Sequence, residues 1–174
     1  MKYLVKFFVV TFLLLICTHA SAEQRIVYLD MKFILNNSKA GKEAQDFLKN
    51  SLKKNEKQFS NKIEELKKKE RDLLAKKTTI SKEEYKKQTD ELRKKVTEFQ
   101  AQRGSFLGKI TKQRADARQK LLEEIDLILN DYIKKNEISL AIDKKYTLGG
   151  RIDLDVTNII IEKLNNKFPS LNLK

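Results

Sequence analysis

Three short motifs contain residues that could take part in catalysis, phosphate binding or modification. Asp153 and Asp155 form a pair of carboxylates, the arrangement used where one group gives up a proton and another accepts it. No third polar group accompanies them and a helical pattern follows, so we interpret one of them as a helix cap. Gly149–Gly150 lacks the Gly-Lys-Ser/Thr ending of a phosphate loop and predicts a tight turn. Asn36-Asn37-Ser38 matches a glycosylation sequon, which we interpret as a loop entering a helix.

Cysteine and histidine, which serve as thiol nucleophiles, imidazole bases and zinc ligands, occur only in residues 1–22. Cys17 is the one cysteine and His19 the one histidine. Both belong to a stretch with the layout of a secretory signal peptide, with lysines at its start, a largely apolar run and the small-residue site Ala20-Ser21-Ala22. We therefore expect cleavage after Ala22 and export to the periplasm.

The expected exported chain excludes several kinds of chemistry. It would have 152 residues with neither cysteine nor histidine. Disulfides, zinc sites built from cysteine and histidine, thiol nucleophiles and imidazole bases would all be absent from it. The sequence predicts a protein that acts by binding and not as an enzyme, with no cofactor and no metal.

The charge of the chain indicates an acidic partner. The whole sequence carries a net charge of +13, and +11 remains without the signal peptide. Such an excess favours association with anionic molecules or surfaces. Export disfavours nucleic acid, which leaves acidic unfolded proteins, anionic lipid and lipopolysaccharide as the candidate partners.

Residues 39–135 are rich in lysine, glutamate and glutamine, lack proline, and predict a long antiparallel helical hairpin. Ser81 and Glu84 match a capping box, so a second helix is expected to begin there and the turn to fall near 78–81. At 1.5 Å per residue the two helices would be ~58 and ~80 Å long, so the hairpin would project from the rest of the protein. Apolar residues recur at steps of seven, as in a coiled coil. They are Leu52, Phe59, Leu66 and Leu73, then Tyr85, Leu92, Phe99 and Phe106.

The distal part of this hairpin concentrates positive charge. Residues 53–95 contain 16 basic and 9 acidic side chains, a net charge of +7. A solvated helix face is the alternative explanation for any single lysine. The aromatic residues Phe59, Phe99 and Phe106 could hold apolar segments of a bound protein, although packing between the helices explains them equally well. The lysines predicted to capture acidic unfolded chains are Lys67, Lys68, Lys69, Lys86 and Lys87.

The remaining segments, residues 23–38 and 136–174, predict a small body that contains strands. Residues 25–30 and 138–142 have strand composition, and a short helix is expected at 156–164. Two or three strands and one helix bury little apolar surface, so we expect the body to be where chains oligomerise. The predicted oligomerisation residues are Ile26, Val27, Leu29, Leu140 and Ile142.

Gly104 and Gly108 fall within the second predicted helix, four residues apart and therefore on one face. Each costs a helix about 1 kcal/mol relative to alanine, because glycine loses more backbone entropy when it is ordered. Two interpretations are open. Either the glycines let the first helix pack closely, or they form a hinge partway between body and tip.

Taken in order along the chain, these features are similar to those of the Skp/OmpH-like periplasmic chaperone family. The similarity covers essentially the whole exported chain. The lysine-rich tip and the extended tail at 167–174 depart from the family's pattern. The segments that carry the resemblance are Arg25-Ile26-Val27-Tyr28-Leu29-Asp30-Met31, the apolar turn Phe33-Ile34-Leu35, the hairpin, the strand Leu140-Ala141-Ile142-Asp143, and Ile152-Asp153-Leu154-Asp155-Val156-Thr157.

The resemblance implies a homotrimer in which short strands build a shared body and three helical hairpins surround a cavity. It also implies an ATP-independent holdase that keeps unfolded outer-membrane proteins from aggregating in the periplasm. Lipopolysaccharide or anionic lipid is a further candidate ligand. The alternative function is that of a structural coiled-coil protein of the envelope, which would bind one dedicated partner or anionic lipid.

Overall fold

The computed structural model describes Tyr3 and residues 24–173, so the predicted signal peptide lies outside the described residues apart from Tyr3. None of the described helices is both long enough and apolar enough to span a bilayer. The predicted fold class, mainly helical with a small β part, is confirmed. The elements are strand β1 (Arg25–Leu29), helix α1 (Met31–Asn37), helix α2 (Lys39–Ala75), helix α3 (Lys82–Lys135), strand β2 (Ile138–Asp143), the 3₁₀ turns Lys144–Tyr146 and Ile152–Leu154, and helix α4 (Thr157–Lys167).

The two strands pair in parallel although more than a hundred residues separate them along the chain. The register places Ile26 opposite Leu140 and Tyr28 opposite Ile142. Tyr28 also bridges to Asp155, which brings the segment before α4 alongside β1. The long hairpin is therefore part of the crossover connection between two neighbouring parallel strands.

Capping residues set the starts of α2 and α3. Ser38 precedes α2, and its Oγ accepts a hydrogen bond from the backbone N–H of Gly41 at 3.2 Å. Ser81 precedes α3, and its Oγ accepts from the N–H of Glu84 at 3.1 Å, as the capping-box motif predicts. The helices have 37 and 54 residues and are therefore ~56 and ~81 Å long. The chain reverses between them over residues 76–81.

The two long helices pack against each other as an antiparallel pair. Near the turn, Leu73 of α2 and Tyr85 of α3 border one groove. Near the body, Leu48 of α2 and Leu121 of α3 border another. Residues that lie later in α2 therefore face residues that lie earlier in α3, as in an antiparallel pair. Five apolar side chains of the two helices are buried outside the core of the body: Leu48, Leu66, Leu73, Phe99 and Ile110.

The body contains a continuous apolar core within one chain. Ile34 of α1, Ile125 of α3, and Ile160 and Leu164 of α4 are completely buried in it. Leu171 of the tail joins the same core, and its N–H donates to Oε2 of Glu43 at 3.2 Å. The last turns of α3 thus belong to the body as much as to the hairpin, and the tail fastens the start of α2 to α4.

Helix α1 was not predicted from the sequence. Asn36 and Asn37 are its last residues, so only Ser38 of the sequon acts in entering α2. The helix is short, but Asp30 caps it by accepting a hydrogen bond at Oδ1 from the N–H of Phe33 at 2.8 Å. Its one fully buried side chain, Ile34, anchors it to the core.

The predicted tight turn at Gly149–Gly150 is not a hydrogen-bonded turn in the structure. Gly150 instead lies in close contact with a side chain, because a Cβ at this position would be 2.7 Å from Cε1 of Tyr28 and the ring would have to shift. The Tyr28 hydroxyl donates to the carbonyl of Arg151 at 3.2 Å, which holds the ring beside the glycine. The segment thus crosses closely over the sheet.

Candidate functional site

The five predicted lysines of the tip are all exposed, but their charges are not equally available. Lys67 pairs with Glu64 at 3.4 Å, and Lys69 pairs with Glu65. The other three, which are Lys68, Lys86 and Lys87, have no carboxylate within 4.0 Å in the part of the chain that the structure describes. The freely available positive charge of the set is therefore concentrated on those three side chains.

Glu65 pairs with two lysines of α2. Lys62 donates to its Oε2 at 2.7 Å, and Lys69 donates to its Oε1. These hydrogen bonds, first from Lys62 and then from Lys69, lower the pKa of Glu65 from 4.5 to about 2. The carboxylate thus stays ionised well into the acid range, and Lys69 remains paired with it.

The three aromatic residues of the hairpin face one another across the seam. The ring centroid of Phe59 lies 5.8 Å from that of Phe99 and 5.5 Å from that of Phe106, with ring planes inclined by 75° and 72°. Edge-to-face pairs of this kind stabilise packing by about 0.5–1.5 kcal/mol beyond the area they bury. In the closed hairpin these rings contact each other, which is the packing interpretation, and their role in holding a bound protein stays a prediction.

An open apolar groove lies between the helices on the tip side of the aromatic cluster. It has a volume of about 830 Å³, and Leu66, Leu73, Tyr85 and Leu92 line it. Leu74 at its edge is more than half exposed although it is a large apolar residue. This surface was not predicted from the sequence. The signal for it is the adjacent pair Leu73 and Leu74, because two neighbouring leucines widen the apolar stripe beyond a narrow seam.

The glycines of α3 lie in a continuous helix on its exposed surface. A Cβ added to Gly104 or to Gly108 would meet nothing within 4 Å. The interpretation that they allow α2 to pack closely is therefore wrong, because no neighbour occupies the space that a methyl group would fill. The hinge interpretation stays a prediction.

The predicted oligomerisation residues divide between the two faces of the sheet. Val27 and Leu29 are only 2% and 3% exposed within one chain, so the protomer core already uses them. Ile26 and Leu140, which are neighbours in the sheet, are 43% and 49% exposed. Ile142 is half-buried. Successive side chains of a strand point to opposite faces of the sheet, which explains this division. Val27 and Leu29 lie on the buried face and are therefore not part of the contact surface between chains.

The connection between β2 and α4 adds exposed apolar residues that were not predicted from the sequence. Tyr146, Leu148 and Ile152 are all mostly exposed. Large apolar side chains beside Gly149–Gly150 are the signal, because such residues are unusual in a glycine-containing loop unless a partner covers them. Gly150 lies against Tyr28, so this loop reaches the sheet.

The paired aspartates before α4 have structural roles. Asp155 accepts at Oδ1 from the N–H of Thr157 at 3.0 Å, but the N-cap of α4 is Val156, which makes no side-chain cap hydrogen bond, so neither aspartate is the predicted N-cap. Burial raises the pKa of Asp155, but the hydrogen bonds from Thr157 outweigh it and hold that pKa below its ordinary value. Asp153 forms an ion pair with Arg151 at 2.7 Å, whose hydrogen bond lowers its pKa. Both carboxylates are ionised at neutral pH, so neither can act as a proton donor.

These features define a class of protein: a long antiparallel helical hairpin carried by a small parallel sheet, with cations toward its tip and apolar surface exposed on its body. The family model described as outer membrane protein (OmpH-like) matches residues 25–164. The chain belongs to the OmpH-like family.

A solved structure has the same fold. The crystal structure of an OmpH-like protein from Caulobacter crescentus CB15, described as a candidate outer membrane chaperone, matches with a TM-score of 0.80 at 18% sequence identity. The match covers 90% of this chain and 93% of that chain. No curated protein matches the sequence significantly.

Proposed function

We propose that this chain is an ATP-independent holdase of the periplasm, exported by its signal peptide, that binds unfolded outer-membrane proteins and prevents their aggregation. The observation that carries the proposal is the open groove of the distal hairpin, where the exposed side chain of Leu74 shares one lining with the basic residues Lys67, Arg93 and Arg103. The description of the Caulobacter protein as a candidate outer membrane chaperone supports it.

The groove suits reversible binding of an unfolded chain. Apolar surface removed from water stabilises a complex by roughly 25 cal/mol per Å², whatever the sequence of the bound segment. Exposed cations attract acidic segments over a screening distance of ~8 Å at physiological salt. Neither contribution requires nucleotide hydrolysis, because each is reversed by the refolding of the bound protein.

We further propose that the active form is a homotrimer whose contacts lie on the outer face of the sheet. Ile26 and Leu140 form an exposed apolar pair on that face, and Tyr146, Leu148 and Ile152 extend from the neighbouring loop. Joining such faces would bury apolar surface and shield the edges of a two-stranded sheet. Lipopolysaccharide or anionic lipid is a further proposed ligand of the positive tip.

The test is suppression of aggregation. An unfolded outer-membrane β-barrel protein is diluted from urea in the presence of the exported chain, and light scattering is followed at increasing stoichiometric ratios. We expect aggregation to be suppressed without ATP for several unrelated β-barrel proteins, by a complex whose mass in solution is that of three chains plus one client. Suppression of no client, or of a single dedicated partner, would favour the structural envelope protein instead.

A further inference from the structure

A second cleft lies where the hairpin meets the body, away from the distal groove. Its volume is about 1260 Å³, and α1, the first turns of α2, the facing part of α3 and the end of β2 border it. Its apolar lining comes from three different helices and includes Leu35, Leu48, Leu52 and Leu121. Pockets for small molecules usually measure about 300–1,000 Å³, so this cleft suits a larger occupant.

The rim of this cleft is strongly basic. Five of its cations have no carboxylate within 4.0 Å among the described residues. They are Lys32 on α1, Lys49 and Lys53 on α2, and Arg114 and Arg118 on α3.

The carboxylates of the cleft do little to offset this charge. Asp30 is occupied in capping α1, where it accepts from the N–H of Phe33. Asp143 pairs with Lys145 at 3.4 Å. Among the described residues that line the cleft, Glu56 is the carboxylate that neither caps a helix nor forms an ion pair. An occupant would therefore need to bring negative charge with its apolar groups.

The positions of the cations indicate what kind of anion fits. They come in pairs four residues apart on each long helix, and Lys32 adds one at the body end, so the charge follows the cleft along its length. A lipid with a single head group would need cations gathered at one end and apolar surface at the other. A chain that mixes acidic and apolar side chains needs both kinds of contact throughout, as this cleft provides.

We propose that the cleft is a docking site for an extended polypeptide segment that combines carboxylates with apolar side chains. The α2 lining extends from Ala44 to Glu56, a distance of ~18 Å along the helix, which equals five or six extended residues. The inference deepens the proposed function, since the segment would belong to an unfolded client held close to the body.

The probe is a fluorescein-labelled peptide of about ten residues in which glutamate alternates with valine. Its binding to the full exported protein is measured by fluorescence anisotropy. Arg114→Glu with Arg118→Glu should weaken binding about tenfold, because two favourable contacts become repulsive. The matched control, Lys109→Glu with Lys120→Glu, changes the net charge equally on the same helix outside the cleft. It should change binding less than about twofold. Circular dichroism verifies that both variants remain folded.

Two further peptides separate the contributions of charge and apolar contact. Lysine in place of every glutamate should abolish binding, and serine in place of every valine should weaken it. Equal losses in the cleft variant and its control would overturn the proposal, because they would indicate general charge attraction. Vesicles of phosphatidylglycerol that bind in a cleft-dependent way while the peptide does not would overturn it in favour of a lipid.

The outcome is distinguishable from failure of the proposed function. If the wild-type protein suppresses aggregation of β-barrel proteins but does not bind the peptide, the docking site is wrong and the holdase function stands. If it binds the peptide through Arg114 and Arg118 but suppresses no aggregation, the site stands and the holdase function is wrong.

Discussion

Gly41 lies so close to the carbonyl oxygen of Leu35 that a Cβ at position 41 would overlap it. The contact joins the last turn of α1 to the first turn of α2. Ser38 between them is completely buried; its N–H donates to the carbonyl of Ile34 at 3.0 Å, and its Oγ accepts from Gly41. These contacts fix the orientation of α2 relative to α1, because they join the backbones of the two helices at Ser38 and Gly41.

Replacing Gly41 with alanine should therefore destabilise the protein by about 2–3 kcal/mol, because the new methyl group must displace backbone and not a flexible side chain. Urea unfolding followed by circular dichroism, at one fixed protein concentration, measures the change. Gly104→Ala is the matched control, since the same methyl group meets nothing there. A Gly41→Ala variant as stable as wild type would mean that the corner rearranges freely.

The hairpin could be predicted from sequence because its signals are local. The step of seven between apolar residues identifies the helices, and Ser81 with Glu84 marks the start of the second one. Helix α1 and the role of Gly41 were missed because they depend on tertiary contacts, namely burial of Ile34 and the approach of the Leu35 carbonyl. Seven residues with two asparagines carry no clear helical pattern of their own.

Part of the candidate site could also be predicted from sequence, because some of its ion pairs depend only on local helical spacing. The pairs that neutralise Lys67 and Lys69 follow from helical spacing to Glu64 and Glu65, which the sequence displays. The cleft between hairpin and body was not predictable, because its cations come from three helices whose contact depends on the fold. Strand alternation predicts that Val27 and Ile26 face opposite sides, but burial decides which side is the core.

Because the two faces of the sheet differ in burial, substitutions at neighbouring residues should have different effects on oligomerisation and on folding. Ile26→Asp or Leu140→Asp should dissociate the proposed homotrimer while the helical content is retained, because these side chains are exposed in one chain. Val27→Asp should unfold the body at a cost of about 3 kcal/mol or more, because it buries an unpaired charge. Light scattering gives the mass, and circular dichroism the helix content. An Ile26→Asp protein with unchanged mass would exclude this face as the contact.

The unpaired lysines of the tip should govern the rate of client capture. Lys68, Lys86 and Lys87 changed together to glutamate should slow association with an acidic unfolded β-barrel protein about tenfold at low salt, because electrostatic steering is reversed. Stopped-flow fluorescence measures the rate. The control changes three exposed lysines nearer the body, Lys42, Lys120 and Lys134, by the same charge. A wild-type rate independent of salt would contradict a role for charge.

The ion-paired carboxylate of α2 predicts how stability depends on pH. The pKa of Glu65 is lowered from 4.5 to about 2 by its lysine partners. Its contribution to stability is thus complete above the unfolded pKa near 4.5 and is lost as the pH falls toward 2. Glu65→Gln should be less stable than wild type at pH 7, and the difference should disappear by about pH 2. Urea unfolding across this range checks it, and a difference that is independent of pH would contradict it.

The glycines of α3 give the last prediction, which concerns movement of the hairpin. A methyl group added to Gly104 or to Gly108 would meet no other atom within 4 Å, so close packing does not explain these glycines. Each nevertheless costs the helix about 1 kcal/mol relative to alanine. Changing both to alanine should therefore raise stability by about 2 kcal/mol without disturbing any contact, and it should stiffen α3 partway along its length.

If the glycines act as a hinge, stiffening must change function as well as stability. Spin labels at the tips, measured by pulsed dipolar spectroscopy, should show a narrower distance distribution in the double alanine variant than in wild type. The variant should also lose capacity for the largest unfolded β-barrel clients while holding small ones as before, because the hairpins could no longer spread. Gly149→Ala is the control, since it also meets open space but lies outside the hairpin. A rise in stability with equal distribution widths and unchanged capacity would leave the glycines without a hinge role, because the helix would then bend no more at 104–108 than elsewhere.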